Sequence, residues 1–179
     1  MNSVARRYAK AFFDAAKEFD LEKAKIELNE LQQVFLTSKL DYYLFSPLLN
    51  KDKKHALVNE IFKHNDFMPV TRKFMALLIE KKRIDFFAAI LEHFTSLYHK
   101  EKNIVKVECV SARELDATTL DNLTQKLQTT FKKNIILDTT INNSLIGGLT
   151  LHIGSRLYDF SIKNQLETIA RRKEYGTKN

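Results

Sequence analysis

Several residue types that mark particular protein classes are scarce in this sequence of 179 residues. It has one cysteine, Cys109, no tryptophan, four glycines and two prolines. A single cysteine excludes an internal disulfide and a cysteine-based zinc site, and it fits a reducing compartment. An all-β sandwich would need more glycine and proline in its turns, so we expect helix to dominate. No stretch approaches the ~20 apolar residues of a membrane-spanning helix.

Targeting signals are also absent from the amino terminus. This segment is basic and amphipathic, as in a transit peptide, but it contains Asp14 and Glu18, and transit peptides are poor in acidic residues. The sequence begins with Met1 and has no secretory hydrophobic region. We therefore expect a chain without a leader, which favours a bacterial over a mitochondrial protein.

The net charge of +7 is not concentrated in one segment. Up to position 105 there are 18 basic and 14 acidic residues, and after it there are 11 and 8. A nucleic-acid-binding protein usually concentrates its basic residues on one face or tail. The charge pattern therefore argues against such a function without excluding a basic helical adaptor.

Apolar residues recur at helical spacing through the first 103 residues. The pattern predicts helices over 3–19, 21–37 and 41–45, a fourth after Asn50, a fifth from Pro69 and a sixth over 84–98. The first helix has two adjacent apolar stripes rich in alanine, which are Val4, Tyr8, Ala11, Ala15 and Phe19, and Ala5, Ala9, Phe12 and Ala16. This face is wider than one neighbour requires. It either accepts a partner's amphipathic helix or is consumed by packing within the chain.

The period changes to two residues at Ile104, which is typical of a strand. The remaining pattern predicts strand, helix, three strands and helix, with Asp116 as the cap of the first of these helices. The predicted fold class is thus mainly α. It has a six-helix bundle over residues 1–103, followed by a small α/β domain over residues 104–179.

No motif in the sequence supports catalysis or a cofactor. Gly147 and Gly148 precede a strand and lack the spacing of a phosphate-binding loop, so a tight turn is the expected role. The five histidines form no metal-binding pattern. His152, Asp159 and Ser161 could be imagined as a triad, but Ser161 begins a helix, where capping is the common role. Acidic pairs such as Glu27 and Glu30 are expected on solvated helix faces, where they aid solubility. We expect no catalytic residue, metal site, cofactor or small-molecule substrate.

The carboxyl-terminal third resembles a known family. The segments concerned are Asn142 to Leu149, His152 to Gly154, Tyr158 to Ser161 and Gln165 to Glu167. The opening segment Val4 to Phe12 is similar too, as is the stretch from Arg83 to Tyr98. In their order they resemble the delta subunit of F-type ATP synthase, the family of the mitochondrial oligomycin-sensitivity-conferring protein. The sequence departs from that family at Asn142, often Asp, at Phe160, often Gly, and around Phe131 to Lys133, where Gly is common.

The resemblance implies a subunit of the peripheral stalk, or stator, without an active site or cofactor. It implies that the helical domain binds the amino-terminal helix of an alpha subunit in a groove between the first and fifth helices. It also implies that the second domain binds the carboxyl-terminal region of the b subunits. Membrane association is expected only through the complex, at the cytoplasmic face of the bacterial membrane, and no nucleic acid is expected as a partner.

Residue positions follow from the same resemblance. The groove is expected at Tyr8, Ala11 and Ala15 of the first helix and at Phe74, Leu77 and Leu78 of the fifth. The b-subunit contact is expected at Ile162, Leu166 and Ile169 of the last helix. Two other functions remain open from the residues alone, a helical or nucleic-acid-binding adaptor and an enzyme of unknown type.

Overall fold

The computed structural model describes residues 3–38, 40–46 and 48–168, which form two compact units dividing between His99 and Lys100. The first unit is helical and the second contains a four-stranded sheet. The prediction of a helical part followed by a small α/β part is therefore confirmed. The period change at Ile104 coincides with the first residue of the first strand.

Five helices lie within the first unit and a sixth begins there. They are α1 (Ser3–Ala16), α2 (Leu21–Thr37), α3 (Leu40–Phe45), α4 (Lys51–His64), α5 (Pro69–Glu80) and α6 (Phe87–Glu101), with a 3₁₀ turn at Ile84–Phe86. Asn50 caps α4 through a 3.0 Å hydrogen bond that its side-chain oxygen accepts from the N–H of Lys53. Pro69 stands at the first position of α5, where its missing N–H costs nothing.

Helix α1 is shorter than the pattern predicts. It ends at Ala16 instead of residue 19, because Asp20 caps the next helix and takes an extended backbone with φ of −147°. The Asp20 carboxylate accepts the N–H groups of Glu22 at 2.8 Å and Lys23 at 3.0 Å. The expectation that Phe19 continues the apolar stripe of α1 is wrong, since its side chain is 59% exposed.

One stripe of α1 forms part of the core. Ala5, Ala9 and Ala16 are fully buried and Phe12 is 2% exposed. The Phe12 ring lies 4.4 Å from the Phe74 ring of α5 and 5.3 Å from the Phe94 ring of α6, measured between centroids. This aromatic cluster packs α1 against α5. The small alanine side chains of α1 let the helix backbones approach closely.

The expectation that Glu27 lies on a solvated helix face is wrong, because this residue is only 3% exposed to solvent. Its carboxylate accepts the backbone N–H of Met68 at 2.7 Å and the hydroxyl of Thr71. Met68 is the residue before α5 and Thr71 lies in the first turn of this helix. The Met68 side chain makes no capping hydrogen bond. Glu27 therefore caps α5 from another helix, with its negative charge at the positive end of the helix dipole.

The second unit is built on β1 (Ile104–Ser111), α7 (Ala117–Phe131), β2 (Asn134–Ile141), β3 (Leu149–Ile153) and β4 (Arg156–Asp159), and residues 162–168 are helical. The strand order is β2-β1-β3-β4. The strands β1 and β2 are parallel and joined through α7, whereas β1–β3 and β3–β4 are antiparallel. Asp116 caps α7 as predicted, accepting the N–H of Thr119 at 2.8 Å.

The core of the second unit lies on one face of this sheet. Val107 and Cys109 of β1, Leu127 of α7 and Leu151 of β3 are its buried members. Burial raises the pKa of the Cys109 thiol, so this cysteine is a small core residue and not a reactive one. After α7, Lys132 adopts φ of +51°, a left-handed backbone that glycine takes at lower cost than lysine.

Candidate functional site

An apolar groove of about 390 Å³ runs between α1 and α5. The buried rings of Phe12 and Phe74 line its base, and their exposed fractions are 2% and 6%. Its lining residues are Arg7, Tyr8, Ala11, Phe12 and Ala15 of α1 and Val70, Lys73, Phe74 and Leu77 of α5. The aromatic cluster of Phe12, Phe74 and Phe94 lies beneath the groove and joins its two walls.

The two stripes of α1 have different environments. The stripe of Ala5, Ala9, Phe12 and Ala16 is buried in the core, whereas Ala11 and Ala15 of the other stripe are exposed. Tyr8, on the same stripe as Ala11 and Ala15, is partly buried. Packing within the described chain therefore does not cover the whole apolar face of α1. The alternative that the sequence left open, in which such packing covers all of it, does not hold for the described residues.

Five of the six residues expected on the groove wall do line it. They are Tyr8, Ala11, Ala15, Phe74 and Leu77. Leu77 is 42% exposed, but its neighbour Leu78 is fully buried and lies in the core. Consecutive helical residues differ by about 100° in direction, so only one of this pair can face the groove. Leu78 is therefore placed beneath the surface and not on the wall.

Sequence reasoning missed four lining residues. One is Phe12, which belongs to the other stripe of α1, and the others are Arg7, Val70 and Lys73. Val70 stands seven positions before Leu77, on the same helix face, and this spacing could have identified it. The two cations could not be found from apolar periodicity, because it ignores charged residues at the border of a stripe. Both side chains are exposed.

The second surface of interest contains the helical residues 162–168. Ile162 and Leu166 are one turn apart and are 42% and 59% exposed. The third residue expected there, Ile169, lies outside the described residues. Three further exposed apolar side chains lie between residues 146 and 160, which are Ile146 at 78%, Leu157 at 57% and Phe160 at 50%.

The glycine pair Gly147-Gly148 holds this region together. The carbonyl of Gly147 accepts the N–H of Ile162 at 3.0 Å. Gly148 has φ of +83°, and a Cβ there would lie 2.3 Å from the carbonyl oxygen of Phe160. The predicted tight turn at this pair is thus a close backbone approach that only glycine permits.

His152, Asp159 and Ser161 do not form a catalytic site. The Ser161 hydroxyl accepts a 3.2 Å hydrogen bond from the N–H of Asn164, which is the predicted capping role. The backbone N–H of Ser161 donates to the Asp159 carboxylate at 2.8 Å. Hydrogen bonds from the Ser161 side chain and backbone lower the pKa of the Asp159 carboxyl. Residues 3–38, 40–46 and 48–168 contain no cluster of histidine, cysteine and carboxylate side chains able to hold a metal ion. No helix within these ranges is both long and apolar enough to cross a membrane.

Comparison with known proteins agrees with this arrangement. Residues 4–172 match the family described as the ATP synthase delta (OSCP) subunit. The chain belongs to this family. One relative, an ATP synthase subunit delta of Carboxydothermus hydrogenoformans, is 34% identical over 97% of this chain and 98% of its own length. Another, the chloroplastic subunit delta of Arabidopsis thaliana, is 31% identical over 97% of this chain and 76% of its own.

The fold agrees with the family as well. A chain in the structure of the Toxoplasma gondii mitochondrial ATP synthase hexamer superposes with a TM-score of 0.72 at 21% identity, covering 96% of this chain and 97% of the other. As a member of the delta (OSCP) family, the chain is a subunit of the F-type ATP synthase, in the peripheral part of its F1 portion, and not a catalytic subunit.

Proposed function

We propose that this chain is a stator subunit that binds the amino-terminal helix of the alpha subunit in the groove between α1 and α5. The observation that supports this role is the apolar groove itself, whose walls carry the exposed residues Ala11, Ala15 and Leu77. A helix laid in such a groove buries its apolar face against both walls, which is a common mode of helix recognition. In this proposal the helices α1 to α6 form the six-helix bundle of the family.

The second half of the proposal is that residues 104–179 bind the carboxyl-terminal region of the b subunits. The exposed pair Ile162 and Leu166 supports a helix contact there, since two large apolar side chains one turn apart gain from being covered. One protein then holds the catalytic head to the membrane sector. The complex associates with the cytoplasmic face of the bacterial membrane and this chain does so only through it.

The mechanical reason for the joint follows from rotation. Proton flow turns the central stalk, and the head must be prevented from turning with it if the rotation is to drive ATP formation. A stator contact therefore needs slow dissociation, which is set by the quality of the buried contact more than by the association rate. The rings of Phe12 and Phe74, whose centroids are 4.4 Å apart, join the two walls beneath the groove.

The groove assignment is tested by Ala11→Asp, which places a carboxylate on the groove wall. Ala11 is exposed in the free chain, so the helical unit should stay folded. Covering the new charge costs free energy, and we expect the affinity for an alpha-subunit amino-terminal peptide to fall at least about tenfold in a titration. Ala56→Asp, at an exposed position of α4 outside the groove, is the matched control and should bind as the unmodified chain does. Unchanged affinity of Ala11→Asp would refute the assignment.

A further inference from the structure

The groove has a cation on each wall. Arg7 lies on α1 and Lys73 on α5, and the floor between them consists of Phe12, Phe74 and apolar neighbours. Both cationic side chains are exposed. The salt bridges found in the described part of the chain leave both of them unpaired. No carboxylate is among the residues that line the groove.

A docked helix changes the surroundings of both cations. Its apolar stripe covers the floor, and its two flanks come to lie beside Arg7 on one wall and Lys73 on the other. Water is partly displaced there, so each charge interacts more strongly with whatever faces it. A basic side chain on a flank is repelled, a neutral one leaves the cation without a partner, and an acidic one forms an ion pair.

We infer that Arg7 and Lys73 make the groove selective for an amphipathic helix with an acidic side chain on each flank of its apolar stripe. This inference rests on the proposed function, because both require a helix in the groove. It also disfavours a second copy of this chain as the occupant, because the chain has a net charge of +7 and like charges oppose association.

The dimensions of the groove define the length of the required pattern. Its lining spans nine residues on α1, from Arg7 to Ala15, and eight on α5, from Val70 to Leu77. At 1.5 Å per residue this corresponds to about two helical turns. The partner therefore needs apolar residues at positions i, i+3 or i+4 and i+7, with the acidic residues beside this short stripe and not elsewhere on the helix.

Three designed peptides test the inference with the full chain as receptor. They share one apolar stripe and carry glutamate, glutamine or lysine at the two flanking positions. Two exposed ion pairs should make the glutamate peptide about two- to thirtyfold tighter than the glutamine peptide in calorimetry. The lysine peptide should bind more weakly than both. The preference should shrink between about 0.01 M and about 1 M salt, where the screening length falls from about 30 Å to about 3 Å.

Receptor variants locate the effect. In the double variant Arg7→Gln and Lys73→Gln, the glutamate and glutamine peptides should bind equally, and the glutamine peptide should bind at least as tightly as it does to the unmodified chain. Removing two charges at the exposed Lys23 and Lys53, outside the groove, gives the control Lys23→Gln and Lys53→Gln, which should retain the preference.

The outcomes separate this inference from the proposed function. Equal binding of the glutamate and glutamine peptides, with both weakened by Ala11→Asp, overturns the charge selection and leaves the groove proposal standing. Tightest binding of the lysine peptide also overturns it. Failure of all three peptides and of the alpha-subunit peptide to bind overturns both proposals.

Discussion

Removing the carboxylate of Glu27 should destabilise the helical unit and loosen the α5 wall of the groove. In Glu27→Ala the N–H of Met68 and the hydroxyl of Thr71 lose their common acceptor. Met68 is 8% exposed and Thr71 is fully buried, so water cannot readily replace the carboxylate. An unsatisfied buried polar group costs about 1–3 kcal/mol, and two such groups give an expected loss of about 2–6 kcal/mol in the free energy of unfolding.

Urea unfolding followed by far-ultraviolet circular dichroism measures this loss. Glu30→Ala is the matched control, because Glu30 is an exposed glutamate on the same helix and should change stability by less than about 0.5 kcal/mol. Glu27→Gln keeps one acceptor oxygen and should fall between the two. The reasoning is wrong if Glu27→Ala is as stable as Glu30→Ala. A second consequence is weaker binding of an alpha-subunit peptide by Glu27→Ala, since α5 begins where Glu27 holds it.

Two further predictions concern the second unit. Gly148→Ala should destabilise it by more than about 1 kcal/mol in the same unfolding experiment, because the backbone has φ of +83° and a Cβ would lie 2.3 Å from the Phe160 carbonyl oxygen. Gly154→Ala shares the backbone strain, with φ of +61°, but has open space around the Cβ and should cost less. In an NMR titration the pKa of Asp159 should lie below the ordinary aspartate value, and Ser161→Ala should raise it. A lowered Asp159 pKa stabilises the folded state at pH values above about 3.9, the pKa of aspartate in the unfolded chain. This stabilisation is lost as the pH falls through the pKa of the folded state. An Asp159 pKa that Ser161→Ala leaves unchanged would contradict this assignment.

Periodicity predicted most of the fold, because apolar spacing directly reflects which face of an element is buried. The change of period at Ile104 marks the first strand, and Asn50 and Asp116 act as helix caps. The end of α1 could not be predicted from spacing, because Asp20, a residue outside the apolar stripe, decides it. At this junction the apolar spacing favours a longer α1, but the capping of α2 by Asp20 requires an extended backbone and ends the helix earlier.

The groove itself was predictable only in part. The surplus apolar stripe of α1 was visible in the sequence, and the position of the fifth helix beside it came from the family resemblance. Which residues of α5 face the groove depends on the rotation of that helix, and this separates exposed Leu77 from buried Leu78. The role of Glu27 could not be predicted, because it depends on a contact with residues 41 and 44 positions away.

The central claim is that a partner helix occupies the groove between α1 and α5. Its most direct test is an NMR titration of the labelled chain with the amino-terminal peptide of the alpha subunit. We predict that the largest backbone shift changes occur at Tyr8, Ala11, Ala15, Val70 and Leu77. Changes centred instead on the separate depression along α2, near Ile26 and Gln33, would contradict the account.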